Sequence, residues 1–335
     1  MSSAHPPRPS TAAVAVALLL VYMIWGSTYL GIAIMIETLP PLLAAGFRYA
    51  TAGLLMLGAL VAHARFWRGA APLERPTAAH WRSAFIVGTL LLLGGNGGVV
   101  LSELYIPSGI AAVLIATMPI WLALFDAILT RRRPSRLVVG GLLAGIVGVG
   151  LLLAPLDEVG RINPIGIGLC LIAEISWAAG SIYARRAPLP RSALLGTGLE
   201  MLAGGLVLML AGSLLGEIGR TNVEEFSVRS LVAVAYLIVF GSIVAFTAYT
   251  WLLANVPVSV VGTYAYVNPI VAVALGAVIL KEPITPRTLI ASAIIIGAVV
   301  AMVSGRPRET EEGGPSPDIA PLEPAKRGTD PAASD

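Results

Sequence analysis

Ten apolar segments of this chain are each close to the length that a helix needs to cross a bilayer, about 20 residues. They cover 12–36, 41–63, 82–102, 108–130, 137–154, 164–184, 192–215, 229–252, 258–280 and 286–304. Charged residues make up only 12% of the chain, whereas a soluble domain carries roughly a quarter. So much apolar surface cannot be buried in one soluble core. The sequence therefore predicts an all-α membrane protein with ten transmembrane helices.

The segments repeat as two sets of five. Trp25 in the first set has a counterpart in Trp177, and the stretch 48–54 is echoed by 200–206. Because five is an odd number, the second set must enter the membrane from the opposite side. The pattern predicts an inverted repeat, an arrangement that many secondary transporters share, with the substrate site where the repeats meet.

These units predict the domain organisation. The first five-helix repeat covers 12–155 and the second covers 162–305. The flanking tails, 1–11 and 306–335, are rich in Pro, Ser, Gly and acidic residues, and such compositions favour disorder. Cys170 is the one cysteine, so an intrachain disulfide and a multi-cysteine metal site are excluded.

The positions of Lys and Arg predict the orientation, because cytoplasmic loops carry the excess of positive charge. With the N-terminus in the cytoplasm, eleven cationic residues lie in inside loops and five in outside loops. The inside group is Arg65, Arg68, Arg75, Arg82, Arg131, Arg132, Arg133, Arg136, Arg185, Arg186 and Arg191. The outside group is Arg161, Arg220, Arg229, Lys281 and Arg287. Both termini are therefore predicted to be cytoplasmic, in a bacterial-type inner membrane.

Motifs in both repeats resemble those of the EamA family of the drug/metabolite transporter superfamily. Trp25-Gly26-Ser27-Thr28-Tyr29 is similar to the family's opening motif, and Arg48 follows Pro40-Pro41 near the start of the second segment. Pro119 and Pro269 match a proline of the fourth and ninth segments, and Lys281-Glu282-Pro283 matches the acidic motif that ends the ninth. The resemblance covers about 12–305. It implies ten helices in inverted repeats and the export or exchange of small metabolites or drugs.

Two acidic positions depart from that pattern. Glu103 and Glu174 stand where small or apolar residues are expected, and Arg131-Arg132-Arg133 replaces an acidic residue after the fourth segment. A charge near the bilayer centre costs several kcal/mol, about 3 on insertion scales, so it indicates a function. Glu174 shares a helix face with Trp177 by its i, i+3 spacing. The pair could bind a cationic amine through charge and cation–π attraction, or carry a proton. The alternative is a neutral Glu174 bonded to a neighbouring helix.

Two further charges within the segments are candidates for substrate binding or proton coupling. Arg48 could hold a substrate carboxylate or satisfy backbone carbonyls. Asp126 lies seven residues after Pro119 and near the arginine cluster, so an interfacial ion pair is its alternative role. Glu200 corresponds to Arg48 in the second repeat, but inverted symmetry places the two at different depths, and a direct pair between them is not expected.

Polar side chains of three other segments complete the predicted substrate site. Asn96 lies among four glycines, which weaken a helix and allow close approach of a ligand or of another helix. Tyr264 and Asn268 share a face just before Pro269, which removes a backbone hydrogen bond. Thr28 lies one turn after Trp25. The predicted substrate-binding set is Trp25, Thr28, Asn96, Glu174, Trp177, Tyr264 and Asn268.

The sequence favours a secondary transporter of amino-acid-like or cationic metabolites, an exporter that works by alternating access around a midplane cavity. Its predicted partners are a small-molecule substrate and the lipid bilayer, without nucleic acid, metal or cofactor, in a monomer or homodimer. An enzyme is not expected, since the segments lack histidine clusters and phosphate-binding motifs. A nucleotide-sugar antiporter of the same superfamily is the alternative, and a membrane scaffold is a weaker one.

Overall fold

The computed structural model describes residues 10–67, 73–131, 136–153, 163–184, 186–256 and 264–304. Within these ranges the regular elements are helices, which we group as α1 to α10 in chain order. They are α1 Thr11–Met35, α2 Pro41–Phe66, α3 Ala78–Ser102, α4 Ser108–Ile115 with Met118–Thr130, α5 Arg136–Leu153, α6 Pro164–Ala184, α7 Ala193–Leu214, α8 228–255, α9 264–280 and α10 Pro286–Ser304. The predicted ten-helix membrane fold is confirmed. The predicted disordered tails lie almost wholly outside the described residues.

Two faces of the bundle are distinguished by their connections. We call the face where α1 ends and α2 begins the distal face; it also carries the connections 103–107, 215–227 and 281–285. The opposite face, where α1 begins, is the proximal face. Ser10 caps α1 there by accepting a hydrogen bond from the backbone N–H of Ala13 at 3.2 Å, which satisfies one of the unpaired groups of the helix start.

Helices α2 and α7 form a closely packed antiparallel pair through the middle of the protein. A Cβ at Gly46 would lie 2.7 Å from the carbonyl oxygen of Gly205, and one at Gly53 would lie 2.8 Å from that of Gly198. Small residues let two helix backbones approach in this way, which is how helices associate where lipid removes the hydrophobic incentive. Because α2 and α7 are equivalent helices of the two repeats and run in opposite directions, the repeats are inverted.

Helices α3, α4 and α8 are irregular where the sequence predicts continuous segments. The middle of α3 is π-helical over Thr89–Gly97, and so is α8 over Leu237–Val244, at matching places of the two repeats. Helix α4 is interrupted after Ile115 and resumes at Met118. The proline at position 119 accounts for the interruption, because a proline has no backbone N–H to donate to the carbonyl four residues earlier, that of Ile115.

The apolar core differs between the two faces. A large cluster on the distal side joins both repeats and includes Met35, Val100 and Leu237. On the proximal side one cluster joins α1 and α8 around Val21 and Leu252, and another joins α3 and α7 around Ala84 and Leu195. A second distal cluster joins α4, α6 and α10 around Leu114 and Ile295. Among the described residues, the largest cluster therefore lies in the distal half.

Candidate functional site

The interruption in α4 places a polar group beside the buried carboxyl of α6. The Thr117 hydroxyl lies 2.5 Å from Oε2 of Glu174, and the Trp121 side chain also bonds to this carboxyl group. Glu174 is only 1% exposed, and its Oε1 has no hydrogen-bond partner in the described part of the chain. An unpaired buried oxygen costs free energy. The arrangement leaves Glu174 able to bind a proton or a donor group of a ligand.

Trp177 lies on the π-helical section of α3, across the interface between the repeats. A Cβ on Gly95 would be 2.6 Å from the Trp177 ring, so only glycine leaves space for the indole. The neighbouring Ser176 hydroxyl donates to the carbonyl of Leu90 at 2.8 Å. These contacts hold α6 of the second repeat against α3 of the first.

Trp25 makes the corresponding contact from the first repeat. Its indole N–H donates to the carbonyl of Gly241, in the π-helical section of α8, at 3.2 Å. Two residues on, the Ser27 hydroxyl is 2.6 Å from that of Tyr236. Each tryptophan therefore packs on the π-helical section of the other repeat. Such sections are frequent at functional sites.

Trp25 also begins an aromatic cluster on the proximal side of this contact. Its ring centroid is 5.0 Å from that of Tyr249, 5.1 Å from that of Tyr264 and 6.2 Å from that of Phe246. Trp25 and Tyr264 are only partly buried. Their rings form an apolar wall with polar edges, which is typical of a small-molecule site.

Asn268 is buried between α1 and α9. With its amide oriented to satisfy both neighbours, the nitrogen donates to the carbonyls of Tyr22 and Tyr264, each at 3.2 Å. A Cβ at Gly26 would lie 2.6 Å from Val271, so the two helices approach closely here. Asn268 thus joins α1 to α9 next to the aromatic cluster.

Arg48 is buried in α2 and contacts α8. Its Nε donates to the Ser242 hydroxyl at 3.1 Å, and the guanidinium lies 4.5 Å from the centre of the Tyr49 ring. In the described residues it has no carboxylate partner. Arg48 therefore places a positive charge beside Gly241, on which Trp25 also packs.

The remaining predicted residues occupy different surroundings. The Thr28 hydroxyl donates to the carbonyl of Trp25 at 2.6 Å. Asn96 and Glu200 are partly buried and form no hydrogen bond through their side chains in the described part. The side chain of Asp126 lies outside the described residues. Asn96 thus has free polar groups on the same π-helical section as Gly95.

Several contributors were absent from the sequence-based set. Thr117, Trp121 and Ser242 contact the two predicted charges, Glu174 and Arg48. A signal existed for Thr117, because it lies two residues before Pro119 and a proline marks an interrupted helix. Nothing in the sequence indicates the partner of Arg48, since 194 positions separate it from Ser242.

Three carboxylates join the repeats, two of them at helix starts. Glu282 accepts from the Ser108 N–H and hydroxyl, each at 2.8 Å, and from the Gly109 N–H at 3.2 Å. Glu217 accepts from two N–H groups at the start of α2, at 3.1 and 2.8 Å. On the proximal face, Glu74 accepts from the Arg191 N–H at 2.8 Å. A carboxylate is favourable at a helix start because it meets unpaired N–H groups and the positive end of the dipole.

A cleft opens in the proximal half between α2, α7 and α8. Its volume is about 390 Å³. The lining residues are Leu55, Met56, Ala59, Leu60, Leu194, Ile243 and Thr247. The cleft lies between the helices of the two separate proximal clusters. Within the described part of the chain, no group of His, Cys, Asp and Glu could hold a metal ion.

Comparisons with known sequences agree with this architecture. The sequence model of the EamA-like transporter family matches residues 12–154 and 164–304. The chain is 40% identical to the uncharacterized inner membrane transporter YedA of Escherichia coli over 87% of this chain and 90% of that protein. It is 25% identical to the uncharacterized transporter YvbV of Bacillus subtilis, over 86% and 91%.

More distant comparisons extend over similar lengths. The protein PecM of Dickeya dadantii is 26% identical over 83% of this chain and 88% of its own length. A solved crystal structure matches with a TM-score of 0.58 and 21% identity, over 87% of this chain and 96% of that one. At this identity the structural match supports the fold alone.

Proposed function

This chain belongs to the EamA-like transporter family and is a membrane transporter; from this premise we propose that it exports small amino-acid-like or cationic metabolites. In this proposal it is a secondary transporter that works by alternating access between its inverted repeats. It has no catalytic role. The observation that carries the proposal is Glu174, a carboxyl that is 1% exposed, with one unpaired oxygen beside the interruption of α4.

The proposed substrate site lies around that carboxyl, where both repeats contribute. Its residues are Trp25, Thr28, Asn96, Glu174, Trp177, Tyr264 and Asn268. Glu174 attracts an ammonium group or a proton, and the indole and phenol rings bind the apolar part of the substrate. Arg48 supplies the positive charge that a zwitterion's carboxylate requires, and Asp126 is a second candidate for charge coupling.

The orientation follows from the positive-inside bias of the loops. We place the proximal face in the cytoplasm, with both termini there, in a bacterial inner membrane. The name of the relative in Escherichia coli, an inner membrane transporter, supports that location. In this proposal the proximal cleft opens toward the cytoplasm, from which an exporter takes up its substrate.

A thermal-shift screen of the purified full-length protein tests the substrate class. The panel contains amino acids, amines, cationic dyes and nucleotide sugars at two pH values. A ligand at about 100 times its Kd stabilises the folded state by about 2.7 kcal/mol. We expect an amine or amino acid to raise the Tm of the wild type and of Glu37→Gln, but not of Glu174→Gln.

Glu37 is a matched control because it is a partly exposed carboxylate at the distal face, ion-paired with Arg229 at 3.3 Å. Equal stabilisation of Glu174→Gln and wild type by the same ligand would mean that Glu174 does not bind that ligand. A response to nucleotide sugars alone would favour the antiporter of the same superfamily instead.

A further inference from the structure

Helices α4 and α9 end in the same unusual backbone conformation. Arg131, directly after α4, and Lys281, directly after α9, have φ angles of 53° and 56° and are the non-glycine residues of the described part with positive φ. Such a φ is uncommon for a residue that has a side chain. Each lies twelve positions after the proline of its helix, Pro119 or Pro269. The two helices of the inverted repeat therefore correspond residue by residue, with position 131 matching position 281.

In the second repeat, the residue after Lys281 closes the distal face. The Glu282 carboxyl accepts hydrogen bonds from the Ser108 and Gly109 N–H groups at the start of α4. It lies against Gly276 of α9, where a Cβ would collide with Oε2 and would lie 2.9 Å from the carboxyl carbon of Glu282. The Glu282 carboxyl therefore fills the space that a side chain at position 276 would occupy.

The first repeat has other residues at both matching positions. Arg132 corresponds to Glu282, and Asp126 corresponds to Gly276. A cation is unfavourable at the positive end of a helix dipole, so Arg132 cannot replace Glu282 at a helix start. An aspartate at the glycine position, in contrast, carries its own carboxyl in the space that the Glu282 carboxyl fills in the second repeat. Arg132, the Asp126 side chain and residues 257–263 lie outside the described residues, so the correspondence is drawn from the sequence and from the second repeat.

The α2–α7 pair has a carboxylate on each face. Glu217 accepts from N–H groups at the start of α2 on the distal face. Glu74 accepts from the Arg191 N–H, just before α7, on the proximal face. For the α4–α9 pair, the described part of the chain contains such a carboxylate on the distal face, Glu282. Inverted symmetry then predicts a counterpart on the proximal face, formed when that face closes.

We propose that Asp126 closes the proximal face in the opposite conformation of the transport cycle. There its carboxylate accepts hydrogen bonds from backbone N–H groups at the start of α9, as Glu282 accepts them at the start of α4. The Glu282 contact is broken in that conformation, so the two carboxylates act in turn. This inference rests on the proposed alternating-access mechanism, and it gives Asp126 a conformational role that needs no contact with the substrate.

Moving the carboxyl within the distal half tests the geometry. Cys170 is buried there, and its rate of modification by a thiol reagent in the purified full-length protein measures opening. We expect Glu282→Ala to raise that rate about tenfold, since hydrogen bonds to a charged group are lost. Adding Gly276→Asp should return the rate to the wild-type value, because the carboxyl is then supplied from α9.

The matched control adds Gly276→Ala to Glu282→Ala, which brings a Cβ without a carboxyl. We expect Cys170 in this double variant to be modified as fast as in Glu282→Ala alone. Equal rates in the two double variants would overturn the equivalence of positions 126 and 276.

A cysteine in the proximal cleft tests Asp126 itself. Leu60 lines the cleft, and Leu60→Cys is introduced into the Cys170→Ser variant. Glu282→Ala weakens the distal closure, so it should shift the population toward the proximally closed conformation and slow modification of the introduced cysteine about fivefold. Adding Asp126→Ala should restore the faster rate, since the proximal closure is then weakened as well. If Glu282→Ala does not fold, Glu282→Gln takes its place.

The inference and the proposed function fail separately. If Glu282→Ala leaves modification in the cleft unchanged, the two faces do not close in turn, and the alternating-access mechanism itself is contradicted. If Glu282→Ala slows modification and Asp126→Ala does not reverse the effect, the mechanism stands and Asp126 is not the closing carboxylate. The substrate class is tested by the thermal-shift screen and depends on neither result.

Discussion

The distal and proximal halves of this protein contain equivalent helices but are closed in different ways. On the distal side two apolar clusters, one of them the largest among the described residues, join the repeats. Glu217 and Glu282 each accept hydrogen bonds from a helix start of the other repeat. On the proximal side the described residues form two smaller clusters. Glu74 accepts a hydrogen bond from the Arg191 N–H there, and a cleft of about 390 Å³ lies between α2, α7 and α8. An inverted repeat makes the two halves similar in sequence pattern. In the proposed alternating-access mechanism, their different packing corresponds to one conformation of the cycle.

In the proposed mechanism, some contacts between the repeats persist and others exchange. The α2–α7 pair is packed through glycines along its length, and it serves both halves. The distal carboxylates, in contrast, bind through a few hydrogen bonds at the protein surface. We infer that the glycine pair is a constant axis and that the carboxylate contacts are broken and remade.

The largest effect is expected from breaking the shared axis. Gly46→Leu forces a side chain into the backbone of α7, where a Cβ would already lie 2.7 Å from the Gly205 oxygen. Overpacking of this kind costs about 3 kcal/mol or more. We expect most of the protein to be lost from the monodisperse peak in size-exclusion chromatography. Gly58→Leu in the same helix is the control, because nothing lies within 4 Å of a Cβ there.

If Gly46→Leu and Gly58→Leu were recovered in equal amounts with equal Tm, the packing of α2 against α7 would not depend on close backbone contact. That outcome would also weaken the distinction between constant and exchanging contacts.

A smaller effect is expected from opening only the distal half. Glu282→Ala leaves the start of α4 uncapped, which costs about 2 kcal/mol. Cys170 is the one cysteine of the chain and is buried beside α4. We expect a thiol reagent to modify Cys170 faster in this variant than in wild type. Glu37→Ala removes an exposed ion pair on the same face and should leave the rate unchanged; a rate unaffected by Glu282→Ala would contradict its role in closing the distal face.

A still smaller effect is expected at the contact between the repeats. Trp25→Phe removes the hydrogen bond to the Gly241 carbonyl, which is worth about 1 kcal/mol. The Tm should fall by about 2–4 °C. Trp177→Phe makes the comparison sharper, because Trp177 packs on Gly95 and has no such bond among the described contacts. A larger loss in Trp177→Phe than in Trp25→Phe would mean that ring packing, not the hydrogen bond, holds the repeats together.

The smallest effect is a pH dependence of stability on the distal side. The pKa of Glu103 is raised in the folded protein by burial and by Glu282. Its contribution to stability is therefore present at low pH and is lost as the pH rises through the raised pKa. In Tm measurements over pH, Glu103→Gln should lose less stability than wild type on the alkaline side. If the Tm of the two proteins changes equally with pH, the Glu103 carboxyl is not neutral in the folded protein.

Much of the fold could be predicted from the sequence, because hydrophobic length and repetition are local properties. The predicted segment 164–184 agrees with α6, and 286–304 agrees with α10. The interruption of α4 was not predicted, although Pro119 was noted. The π-helical sections of α3 and α8 could not be predicted, since they form where Trp177 and Trp25 pack from the other repeat.

The candidate site was less predictable. The sequence identifies which residues are costly to bury, and Glu174 and Arg48 were found on that basis. Their partners, Thr117 and Ser242, are ordinary residues in apolar segments, and nothing local distinguishes them. The substrate roles of the predicted site residues remain proposals, with the thermal-shift screen as their test.

By itself, the sequence determined that this protein spans the membrane in ten helices arranged as two inverted repeats. The bilayer sets the length of each helix. Because each repeat has an odd number of helices, the second repeat enters the membrane from the opposite side. Only the tertiary structure decided where the cleft lies and which carboxyls of the described residues lack hydrogen-bond donors. Those properties depend on contacts between residues far apart in the chain, such as Glu282 with Ser108. Such contacts form only when helices of the two repeats are packed together, so their free energy cannot be inferred from the sequence of one segment.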